Sequence, residues 1–133
     1  FVVTPRGPVL VEINYRSIGD NREFLLDQLV EQGWFKSILK THLGQEIEVP
    51  QVKPKFAQID YLVAPHAGTL RVAPRIENNA AVQYRAIKQQ GETIQISNSN
   101  KDYIGVFTYQ ADSDNELQRL RTDIQHRNPW SVQ

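Results

Sequence analysis

The sequence predicts an α+β protein with a mainly antiparallel sheet, and three observations carry that prediction. Apolar residues alternate with period two at Ala57, Ile59, Tyr61 and Val63 and again at Val82, Tyr84 and Ala86, the spacing of a half-buried strand, and Tyr103–Tyr109 reads as a further strand. Helix-type spacing is confined to the front third and the last twenty residues. The resulting order is a hairpin, two helices, several strands and one helix. It lacks the regular βαβ alternation that a parallel sheet requires.

Taken in order, Phe1–Thr4 reads as a strand, Pro5–Pro8 as a tight turn, and Val9–Tyr15 as the second strand of a hairpin. Asp20 and Glu23 have capping-box spacing before a helix with the stripe Leu25, Leu26, Leu29 and Val30, ended by Gly33. A second helix, Trp34–Leu43, is expected to bury Trp34, Phe35, Ile38 and Leu39 and to stop at Gly44. Pro50 and Pro54 bracket a stiff extended segment. Strands follow at Phe56–Ala64, Thr69–Ala73, Val82–Ala86 (where a helix is the rival reading), Glu92–Ile96 and Tyr103–Tyr109. The stretch Ser97–Asp102 forms a polar turn. Ser113 and Glu116 cap a last helix with Leu117, Leu120 and Ile124 on one face, and Pro129 stops it.

With 133 residues, 40% of them hydrophobic and 23% charged, the chain fits a single globular domain spanning residues 1–133. Lys plus Arg and Asp plus Glu each number 15, so the formal net charge is zero. That balance argues against nucleic acid or an anionic membrane as the main partner. No window approaches the roughly 18 apolar residues of a membrane helix. The absence of cysteine removes disulfides and thiolate metal sites and fits the reducing cytoplasm. A chain that lacks methionine and starts at Phe1 is expected to be a piece of a longer protein.

The stretch that invites chemistry is GPVLVEINYRSIGD, Gly7–Asp20. On a strand, Glu12, Asn14 and Arg16 would share one face, because alternate side chains point the same way. A carboxylate and a carboxamide suit a hard cation such as Mg²⁺, and a guanidinium forks onto phosphate oxygens. Gly19 lets the loop approach a ligand. By itself such a triple on a strand is a weak signal, and a solvated polar face is the ordinary explanation.

The layout resembles the closing segment of the ATP-grasp superfamily of carboxylate–amine ligases, whose strand reads much like GPVLVEINYR and is followed by a glycine-containing loop and a helix. AQIDYLVAPHAGTL (Ala57–Leu70) and GETIQISNSNKDYIGVFTYQA (Gly91–Ala111) are similar to later segments of that family, more loosely. The resemblance implies that the chain is the C-terminal lobe of an ATP-grasp fold and the C-terminal portion of a larger enzyme. It further implies that Glu12 and Asn14 ligate the Mg²⁺ that accompanies ATP. Arg16 would be the catalytic contact to the γ-phosphate or acyl phosphate, and Gly19 would lie near the substrate. The partners so implied are ATP and a small carboxylate and amine. Tyr15 stands where the family often has proline. The family's first acidic metal ligand, its adenine pocket and its phosphate-covering loop are expected upstream of Phe1, so the piece alone is expected to be silent.

Other signals have plainer explanations. His42, His66 and His126 show no metal-ligand spacing, and only His66, in a turn, is placed to line a pocket. The acidic run at Asp112–Asn115 suits a helix N-terminus. Arg71, Arg75 and Arg85 read as a solvated sheet face, with an anion site as the alternative. The rival to the ligase reading is a small non-catalytic α+β binding or interaction domain. Self-association into a homo-oligomer through exposed strand edges is a further expectation.

Overall fold

The structure, a computed structural model, describes residues 2–13, 17, 19–99 and 102–133. They form an α+β protein of mainly antiparallel strands and three helices. The chain divides into two compact units, Phe1–Lys53 and Pro54–Gln133.

The first unit opens with the hairpin of β1 (Val2–Thr4) and β2 (Gly7–Val9), paired antiparallel with Thr4 opposite Gly7. The Thr4 hydroxyl closes the turn, donating to the Gly7 carbonyl at 2.9 Å and accepting from the Arg6 amide at 3.2 Å. Helices α1 (Arg22–Leu29) and α2 (Trp34–His42) follow. They are tied by an aromatic contact, Phe24 against Phe35 with centroids 5.3 Å apart, and by Asp27, whose Oδ1 accepts the Phe35 amide at 3.0 Å. That carboxylate serves as the N-terminal cap of α2 from the neighbouring helix. The segment after α2 returns along the turn between the helices: Glu31 N donates to Gln51 O, Lys53 N to Leu29 O, and Val30 bridges Val52.

Two expectations fail here. The capping box at Asp20 and Glu23 does not form: Asn21 is the N-cap, in a left-handed conformation and without a side-chain cap bond. Nor does α2 bury its apolar stripe. Phe35 and Leu39 remain 39% and 59% exposed, and among the described residues of this unit Val30 is the one buried hydrophobic. Amphipathic spacing makes a helix able to bury a face, but a packing partner has to be there to cover it.

The second unit holds the hydrophobic core. β3 (Phe56–Val63), β5 (Val82–Ala86) and β7 (Tyr103–Ala111) form one antiparallel sheet with β7 central, and β4 (Gly68–Val72) pairs with β6 (Thr93–Ile94) and β8 (Ser131–Val132) in another. Tyr109, Phe107, Leu70, Ile104 and Val82 are fully buried, and Leu117 of α3 (Asp114–Arg127) joins them. The rival helix at Val82–Ala86 is excluded by its pairing with Tyr109–Gly105. The Ser113 cap is as expected. Its hydroxyl accepts the Glu116 amide at 3.2 Å, while Glu116 reaches back to the Asp112 amide at 3.1 Å.

Across β7 the register places Asp60, Phe107 and Tyr84 in one row and Gln58, Tyr109 and Val82 in the next, on the side facing α3. Tyr84 leans over Gly105, where a Cβ would collide with its ring and hydroxyl. Replacing Gly105 by alanine is therefore expected to cost about 1–3 kcal/mol, the usual penalty of overpacking, measured by chemical denaturation. Tyr84→Phe should be neutral or stabilising. Its hydroxyl is buried with no hydrogen-bond partner among the described residues, and removing an unsatisfied group removes its desolvation cost.

Candidate functional site

The strand expected to carry the Glu12 face is shorter than the pattern suggests. β2 ends at Val9, and Leu10–Ile13 have no strand pairing. Valines and leucines favour a strand only where a second strand accepts their backbone bonds, and among the described residues the pairing with β1 runs from Thr4 opposite Gly7 to Val2 opposite Val9. Glu12 is exposed in this unpaired stretch, flanked by Val11 at 64% and Ile13 at 63% exposure. Asn14, Tyr15 and Arg16 lie outside the described residues, so the shared face of Glu12, Asn14 and Arg16 is not on view.

The loop beyond them is unusual. Gly19, Asp20 and Asn21 have φ of 80°, 56° and 66°, three successive residues in the left-handed region. Glycine takes that conformation freely, and Asp and Asn are the side chains that tolerate it best. The Gly19 carbonyl then accepts the Arg22 amide at 3.2 Å as α1 begins. The loop thus turns directly into a helix N-terminus with Glu23 in its first turn.

The other predicted candidates stay apart from one another. His42 sits in the last turn of α2 with Lys40, where a cation complements the helix dipole. His66 is exposed in the β3–β4 turn, with Nδ1 3.0 Å from the Ala67 carbonyl. His126 lies in the last turn of α3. Among the described residues no group of three or more His, Cys, Asp or Glu side chains is placed to hold a metal. Of the expected Mg²⁺ ligands, only Glu12 falls within that comparison. Glu12 is an exposed residue. Among the described residues no helix is long and apolar enough to cross a membrane.

One polar cluster carries no motif in the sequence. Asp60, on the α3-facing side of β3, accepts from Arg121 Nε at 2.5 Å, Gln125 Nε2 at 2.7 Å and Gln58 Nε2 at 2.8 Å. Its side chain is 12% exposed. The apolar alternation at Ala57, Ile59, Tyr61 and Val63 marks the opposite face of β3, so it gave no signal for Asp60, which shares its face with Gln58 and the buried Leu62. Tyr109 lies in the adjoining row. Burial, and then the negative charge of Asp60, push its hydroxyl up to about 12, with Arg121 and Gln125 opposing. Gln125 commits its Nε2 to Asp60, and the Tyr109 hydroxyl is left without a hydrogen bond of ordinary geometry. In the turn before β7, Asp102 is held below the usual carboxylate range, chiefly by the Ser97 hydroxyl at 2.7 Å.

No protein-family model, no curated protein and no solved structure matches this chain. The functional reading therefore rests on its own residues.

Two outcomes follow from the Asp60 cluster. Asp60→Ala should destabilise the protein by about 2 kcal/mol, since it strips hydrogen bonds from a partly buried guanidinium and two amides; denaturant titration measures it. Tyr109 keeps its proton longer in the folded state than in the unfolded chain, whose tyrosines titrate near 10. Its contribution is complete below pH 10 and is lost as pH rises toward about 12. Tyr109→Phe should flatten the alkaline fall in stability between those values, and Tyr84, raised in the same direction by burial, should supply the remainder.

Proposed function

We propose that the chain is the closing part of an ATP-grasp carboxylate–amine ligase and carries part of its Mg-ATP site. The observation that carries the reading is the order within Val2–Leu29: the hairpin, the EINYR stretch, a glycine loop in the left-handed region, and a helix starting at Arg22. The family resemblance implies the same order of parts, with the EINYR stretch on a strand.

In this reading Glu12 and Asn14 would hold Mg²⁺, whose role is to neutralise charge on the phosphates of ATP. Arg16 would place its guanidinium on the oxygens of the transferred phosphoryl group. The substrate carboxylate attacks the γ-phosphorus, ADP leaves, and an amine then displaces phosphate from the acyl phosphate. None of these side chains is a covalent nucleophile, so their work is positioning and charge compensation. Gly19 would let the loop backbone close on the substrate.

A second reading, a non-catalytic binding domain, draws on the end of β2 at Val9: the strand that would hold Glu12 and Asn14 rigidly in line is not formed through Ile13. One experiment separates the two. In the enzyme with its upstream region present, Glu12→Gln should lower Mg-dependent ligation by at least ~100-fold, the scale on which transition-state charge stabilisation is lost. Unchanged ATP turnover in that variant leaves the binding domain standing.

A further inference from the structure

Beside the central strand of the second unit is a cleft of about 240 Å³, lined by Leu62, Phe107, Gln125, Asn128 and Trp130. Its floor is apolar: Leu62 and Phe107 are 8% and 1% exposed, and Trp130 packs against the same core. A space of this size exceeds the roughly 150 Å³ that accepts a benzene ring. It is large enough for a ring bearing a short polar arm.

The polar rim is set by what the two amides are obliged to do. Gln125 turns its NH₂ to the Asp60 carboxylate at 2.7 Å, and Asn128 turns its NH₂ to the Ile124 carbonyl at 2.8 Å. A carboxylate and a carbonyl can only accept, so neither amide can flip without placing oxygen against oxygen. Gln125 Oε1 and Asn128 Oδ1 therefore remain as acceptors, and among the described residues neither accepts a hydrogen bond. Gln125 and Asn128, which line the cleft beside Trp130, thus each keep a carbonyl oxygen with acceptor capacity at the edge of an apolar floor. Carbonyl oxygens and an aromatic face are the groups that receive an ammonium ion. A carboxylate guest would meet only acceptors and the single indole N–H. Arg121, the nearest cation of the Asp60 cluster, is already paired to that carboxylate.

We propose that this cleft binds the ammonium group of a small apolar amine, with the ring or alkyl body on Leu62 and Phe107. The site uses none of the residues of the Glu12 loop and does not depend on the ligase reading.

Benzylammonium is the probe, titrated into the whole chain while the two tryptophan indole N–H resonances are followed. Saturable shifts of Trp130 in the millimolar range are expected, with Trp34 of the first unit unmoved as internal control. Benzyl alcohol should bind more weakly, and benzoate should not bind. Asn128→Leu should weaken benzylammonium roughly tenfold, the loss of one hydrogen bond to a charged donor, with the Trp34 resonance and thermal unfolding checked for an intact fold. Should that variant not fold, Trp130→Leu, followed through the side-chain amide signals of Gln125 and Asn128, should weaken binding similarly. An unmoved Trp130 signal, benzoate binding as well as benzylammonium, or full affinity in the folded variants would each overturn the proposal.

Discussion

The second unit depends on one strand. β7 pairs with β3 along one edge and β5 along the other, and it carries Ile104, Val106, Phe107, Tyr109 and Ala111 into the interior. A central strand has no free backbone edge, so each side chain on it is held in place by neighbours on both sides. The two aromatic rings fix the spacing further. Phe107 stacks on Tyr109 at 5.7 Å and meets Tyr84 at 4.6 Å, and Gly105 is small because Tyr84 occupies the space a side chain would take. Helix α3 then has a defined surface to cover, and Leu117 fills it.

Asp60 makes that docking specific rather than merely hydrophobic. A greasy helix face can slide on a greasy sheet with little change in buried area. An acid in the inward register cannot, because its carboxylate needs donors at fixed positions, and Arg121 and Gln125 provide them at only one placement of the helix. The same commitment propagates outward: Gln125, which lines the cleft, has given its NH₂ to Asp60 and keeps its oxygen as an acceptor. The amide of Gln125 at that cleft is thus oriented by the carboxylate it touches.

The parts legible in the sequence are those where local pattern and tertiary partner agree. The strands of the second unit were visible because runs of β-branched and aromatic residues coincide with real neighbours, as with Tyr103–Ala111 between β3 and β5. The Ser113 cap was visible because its partners lie three and four residues away. β8 was not, because Ser131 and Val132 form a strand only by pairing with Leu70 and Val72, some sixty residues earlier. The Asp60 cluster was hidden for the same reason: Arg121 lies 61 positions along the chain. In the first unit the apolar spacing of α2 was read correctly as helix but wrongly as burial, because periodicity reports a helix's capacity to be covered and not the presence of a cover.

That contrast bears on the candidate phosphate site. Glu12 belongs to a unit with one buried hydrophobic among its described residues, and it sits beyond the last paired residue of β2. A catalytic carboxylate needs its position held to a fraction of an ångström, and that restraint comes from packed neighbours and strand pairing. Leu10–Ile13 are exposed and lie outside any strand. If Glu12 is a metal ligand, strand pairing does not supply its restraint, and part of the ordering cost would be drawn from the binding energy of the metal and nucleotide. The amine cleft is the opposite case, since its floor and rim are fixed by the core of its own unit. Pre-organisation is thus unevenly distributed: the motif with the richest chemistry lies where the fold supplies least support, and the best-supported cavity lies where no motif draws attention.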